Sequence, residues 1–166
     1  MRTRVIASMI AALLVGVAVA GSGAGPAGAE ERGHGAPRIG AGFVHLDGAQ
    51  EVGGGDPDGR GTFAYVAFPR TLCYVLTARH IEPATMAHIH QGPRGVNSPI
   101  AINLIAPTRG FSAGCIASQP DDTPAPDPAA VLTRTELDGI RTAPEGFYAN
   151  VHNAPFPAGA IRGQLR

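Results

Sequence analysis

The 166-residue sequence predicts an all-β fold, an antiparallel sandwich of immunoglobulin-like or Greek-key topology with about seven or eight strands and one short helix. Three observations lead there. Gly (23) and Pro (15) punctuate the chain at short intervals, and both residues disfavour long helices. Between them lie short stretches that alternate apolar and polar residues or are rich in β-branched and aromatic ones. Apolar residues make up 44% of the chain, enough for a core, which excludes a wholly disordered protein. A barrel is the alternative arrangement of the same strands.

Arg2 and Arg4 precede an uncharged run of small and aliphatic residues from Val5 to Ala20, and Ala27-Gly28-Ala29 stands before Glu30-Glu31. A charged head, an apolar stretch and a small-x-small end form the pattern of a secretory signal, here residues 1–29. The run is too short and too rich in Ala and Gly to make a good spanning helix. Residues 30–40 read as a polar, Gly-rich lead-in, and residues 41–166 as the domain. The expectation is a secreted, extracellular protein, free of the membrane once the signal is cleaved. The chain from residue 30 on has 11 Arg, no Lys and 13 acidic residues. With no basic excess, nucleic acid is not an expected partner.

The strands follow in order. Ala41–Leu46 opens the sheet, and the run Asp47 to Gly59, with three consecutive glycines, is a turn. Gly61–Phe68 carries Phe63 and Tyr65 on one face and Val66 and Phe68 on the other. Pro69-Arg70 connects it to a hairpin partner, Thr71–Ala78. Ala84–His90 alternates, Ser98–Ile105 and Phe111–Ser118 continue the series, and Gln119–Pro128 is a Pro- and Asp-rich loop. Thr133-x-x-Glu136 has the form of a capping box before Leu137 and Ile140, predicting a helix that stops near Pro144. Phe147–His152 and Ala160–Leu165 close the chain as strands.

Cys73 and Cys115 are the only cysteines, and in an oxidising compartment two cysteines in a small domain pair. Thiolate metal ligation is the weaker reading, since no CxxC occurs.

Chemistry concentrates in the histidines. On a strand, Met86, His88 and His90 share one face, and so do Tyr148, Asn150 and His152. Two histidines at i and i+2 stand about 7 Å apart at Cα, close enough for both rings to hold one ion. The Met86 thioether would suit copper. Two readings stand at this point: a copper or zinc site, or histidines that only hydrogen-bond locally. His152 lies too far along the chain from His90 for spacing to join it to them.

Four segments together resemble the CHRD domain, a module named for its repeats in chordin and found singly in secreted bacterial proteins. They are Leu46-Asp47-Gly48-Ala49-Gln50-Glu51-Val52, then Ala87-His88-Ile89-His90-x-Gly92, then Tyr148-Ala149-Asn150-Val151-His152, and last Gly159-Ala160-Ile161-Arg162-Gly163-Gln164-Leu165. Gly53-Gly54 replaces the prolines the family often has after Glu-Val, and Ala160 replaces its usual acidic residue. The resemblance implies an immunoglobulin-like sandwich and supplies no catalytic residues. Its motifs fall on His88, His90 and His152, which favours a shared site. A HxH pair with a later His is also similar to the copper ligands of copper-zinc superoxide dismutase, but the zinc subsite pattern of that enzyme is missing.

Arg162 is expected to pair with Glu51 or to bond backbone carbonyls, with an anion site beside a metal as the sharper alternative. Gln164 is expected to hydrogen-bond at a sheet edge. Nothing in the sequence resembles a nucleophile elbow, a phosphate loop or paired hydrolase carboxylates. The expectation is therefore a non-enzymatic module binding an extracellular protein or a transition-metal ion through neutral imidazoles, with affinity falling below about pH 6.5. A copper-dependent redox enzyme and a purely structural interaction domain are the rivals.

Overall fold

The structure, a computed structural model, describes residues 38–166; the expected signal and most of the lead-in lie outside them. The fold is all-β with one helix. The strands are β1 (Gly40–Asp47), β2 (Arg60–Ala67), β3 (Thr71–Arg79), β4 (Ala84–Gln91), β5 (Ile100–Leu104), β6 (Phe111–Ala117), β7 (Phe147–Asn153) and β8 (Ile161–Gln164), with helix α1 (Arg134–Thr142) between β6 and β7. All pair antiparallel in one sheet of order β5-β4-β7-β8-β1-β2-β3-β6.

The sheet consists of two four-stranded halves. β1 and β8 join them at a single register pair, Asp47 with Arg162. One core takes side chains from both halves: Leu46, Phe63 and Leu76 from the first, Ile89, Val151 and Ile161 from the second. The helix adds Leu137 and Ile140, both fully buried. The capping box forms as the sequence predicts, with Glu136 N–H donating to Thr133 Oγ1 (3.2 Å) and Thr133 N–H to Glu136 Oε2 (2.8 Å).

The two halves differ on their outer faces. β2 and β3 bury alternate residues, as strands with one solvated face do, and Phe43, Val75 and Phe111 stay exposed on that side. β7 and β8 are buried at every position. Their outer face is roofed by the chain from 92 to 98, which follows β4, and by the turn from 154 to 160. Gly92 permits the first of these: a Cβ there would run into the Ser98 side chain.

Cys73 and Cys115 form a disulfide between register partners of β3 and β6 (S–S 2.09 Å). It closes a segment with a sequence separation of 42, which by chain entropy stabilises the fold by roughly 4 kcal/mol. Reduction, or the double substitution Cys73→Ser/Cys115→Ser, should lower the urea midpoint by a corresponding amount. An unchanged midpoint would show that the bridge does not constrain the unfolded chain.

Candidate metal centre

The register of β4, β7 and β8 builds the site. Met86 pairs with His152, His88 with Asn150 and His90 with Tyr148; across β7, Asn150 pairs with Arg162 and Tyr148 with Gln164. Antiparallel partners share a face. All these side chains therefore project from one face of the sheet, while Ala87, Ile89, Ala149 and Val151 enter the core on the other.

His88, His90 and His152 are buried, each at most 8% exposed. One ring nitrogen from each lies within 4.8 Å of the others, and among the described residues they are the one group of three potential metal-ligating side chains so placed. Three such atoms share a centre within roughly 2.8 Å of each, against about 2.0–2.1 Å for a metal–imidazole bond. His88 Nδ1 and His152 Nε2 stand 3.1 Å apart as a ring-to-ring hydrogen bond, which an ion held between the two would replace. The strand alternation thus brings together the HxH pair and a histidine 62 residues beyond His90, which spacing alone could not join.

The loops over the face fix how the rings present themselves. His90 Nδ1–H donates to the Ser98 carbonyl (2.7 Å) and His152 Nδ1–H to the Pro157 carbonyl (3.0 Å). Each bond commits the ring's proton to Nδ1 and leaves Nε2 with its lone pair, the tautomer a metal requires. The Nε2 of His90 lies 3.2 Å from the side-chain amide of Asn150, whose NH2 group donates to it when the amide is turned.

Burial holds the His88 pKa down to about 4, helped by the neighbouring His152 and His90 rings; it lowers those of His90 and His152 as well. Burial pushes Glu51 up to about 7, against the pull of Arg162 and the hydrogen bond from Asn150. Gly159 makes room for this carboxyl, since a Cβ there would collide with it.

Arg162, 1% exposed, is held by backbone carbonyls rather than by Glu51. Its Nη2 donates to Pro93 (3.1 Å) and Val96 (3.0 Å). Its guanidinium lies over the Tyr148 ring at 3.3 Å, and the His90 ring stacks on the same tyrosine with centroids 4.6 Å apart. Ser98 N–H donates to the Tyr148 hydroxyl (3.2 Å), tying the roof to the stack. Gln164 lies in the interior rather than at an edge, because β8 is a central strand. Its Nε2 donates to the carbonyls of Gly92, Glu145 and Phe147.

Met86 keeps the expected face, register partner to His152 just past a bulge between Ala84 and Met86, but it is 46% exposed where the rings are buried. The role of Tyr148 and the carbonyls of Ser98 and Pro157 escaped the sequence reading. Backbone acceptors carry no residue signature, and only the tyrosine's place on the histidine face was visible beforehand.

A family model described as the CHRD domain matches residues 43–165. No curated protein and no solved structure matches the chain.

These shifts give the metal-free protein a defined pH response. The folded rings refuse protons that the unfolded chain takes up below about 6.5, so their stabilisation is full above that pH and is lost as pH falls toward the folded value, about 4 for His88. Glu51 opposes this: between 4.5 and about 7 the folded state keeps a proton that the unfolded chain releases. Three rings outweigh one carboxyl, so the urea midpoint, measured with a chelator present, should fall from pH 7 to 4.5. Glu51→Gln should make that fall steeper. An unchanged slope in the variant would contradict the buried neutral carboxyl.

Proposed function

We propose, from the premise that the chain belongs to the CHRD domain family, that it is a secreted β-sandwich module whose roofed face binds a transition-metal ion, copper or zinc, through His88, His90 and His152. The observation that carries this reading is the meeting of three buried imidazoles with two of their ring protons already committed to backbone carbonyls. Such a site holds its ligands in their neutral, metal-binding form before the ion arrives. Secretion is supported by the signal-like N-terminal sequence and by the disulfide, which fits an oxidising extracellular compartment. Among the described residues no helix is long and apolar enough to cross a membrane.

A second reading also has an observation behind it. The bonds from His90 and His152 to Ser98 and Pro157 anchor the roof, and histidines serving only as such anchors would need no ion. The module would then present its surface to a partner as a structural domain.

Calorimetric titration of the purified protein with Zn²⁺ and with Cu²⁺ separates the two. The metal reading predicts one ion per chain, lost in His88→Ala and His152→Ala while the circular dichroism spectrum persists. The chain has no Trp, so stoichiometric Cu²⁺ should also quench tyrosine emission through Tyr148, stacked on His90, and Tyr148→Phe should remove most of that quenching. A folded wild-type protein that binds neither ion leaves the anchoring reading in place.

A further inference from the structure

We infer that the ion best suited to this site is monovalent copper, with the Met86 thioether as a fourth, soft ligand at its rim; this rests on reading the three histidines as ligands.

Charge is the first argument. The converging donor set consists of imidazoles alone, with no carboxylate or thiolate to offset an ion's charge. The buried Arg162 guanidinium, itself a cation, acts on His90, and the one carboxylate whose charge reaches His88 is Asp127, outside the donor set. No carboxylate among the described residues lies within ion-pair distance of Arg162; Arg141–Asp138 is the one ion pair found there. Glu51, the buried carboxyl on this face, has Arg162 and Asn150 rather than the rings as its neighbours. The cost of burying an ion rises with the square of its charge, so a dication is penalised about four times as heavily as a monocation in such surroundings. Zinc and divalent copper are usually accommodated by anionic ligands or bound water, whereas monovalent copper accepts neutral nitrogen and sulfur donors.

Position is the second. Bulging at Ala84–Met86 sets two residues, Thr85 and Met86, against the single His152. Beyond the bulge the alternation resumes, with Ala87 and Ile89 in the core and His88 and His90 on the site face. Met86 therefore stands on that face, register partner to His152, a pairing that puts Cβ atoms about 4.5–5.5 Å apart. The histidines are nearly sealed while Met86 is half exposed, which places the thioether where the site meets solvent. It is not part of the hydrophobic core, so packing does not account for a methionine there.

The test compares two ions in two proteins. Affinity for Cu(I) is read anaerobically by competition with the chromophoric chelator bicinchoninate, and affinity for Zn²⁺ by calorimetry, in wild type and in Met86→Leu. The substitution keeps side-chain volume at an exposed position, so folding should be unaffected. The inference predicts about tenfold weaker Cu(I) binding in the variant with Zn²⁺ affinity changed less than twofold. In X-ray absorption of the Cu(I)-loaded wild type, one sulfur scatterer should appear and should vanish in the variant. Equal effects on both ions, no effect on either, or no sulfur scatterer would overturn it while leaving the histidine site standing. Failure of both ions to bind wild type would instead overturn the histidine site, and this inference with it.

Discussion

A polar group buried without a partner costs on the order of 1–3 kcal/mol, more if charged, and the outer face of β4, β7 and β8 carries His88, His90, Asn150, His152, Arg162 and Gln164. The rest of the site follows from how that cost is met. Water does not cover this face; the chain itself does, and it lays backbone carbonyls over the donors. Pro93 and Val96 receive Arg162, Gly92 receives Gln164, Ser98 receives His90 and Pro157 receives His152. Because carbonyls only accept, each ring must donate to them. The same bonds that make burial tolerable therefore set the tautomers that leave Nε2 of His90 and of His152 with its lone pair.

The fold contributes rigidity and convergence. His88 and His90 come from one strand and His152 from its neighbour, so their separation is set by sheet geometry rather than by a loop. Tyr148 links this constellation to Arg162 through stacking on one side and cation–π contact on the other. The single register pair between β1 and β8 brings the end of β1, and the turn holding Glu51, beside the same face. Here Gly92 and Gly159 act by lacking a side chain: one admits the roof, the other the Glu51 carboxyl.

Much of this was legible in the sequence, for local reasons. Alternation around Phe63 and Tyr65, the Thr133–Glu136 box and the Cys73–Cys115 pair each report a short-range or compartment rule, and each holds. Met86, His88 and His90 could be assigned to one face because strand periodicity is local. The approach of His152 could not, since it depends on β4 and β7 becoming neighbours although β5, β6 and α1 intervene in the chain. Pro83 stands beside the bulge at Ala84–Met86 but reads equally well as the mere start of a strand. Gln164 was misplaced at an edge because strand order cannot be read from the segment itself. The carbonyl partners of Arg162 belong to a loop 66 to 69 residues earlier, and any residue type could have supplied them.

What the account claims at its centre is that His90 and His152 are held in the Nδ1–H tautomer, each with its Nε2 lone pair beside His88, before any ion arrives. Ring ¹⁵N NMR of the histidine-labelled, metal-free protein reads this directly. Nδ1 of both His90 and His152 should carry the proton, and one equivalent of Zn²⁺ should shift Nε2 of both rings while leaving exposed His45 unchanged. Protonation at Nε2 in either ring, or spectra that zinc leaves untouched, would contradict it.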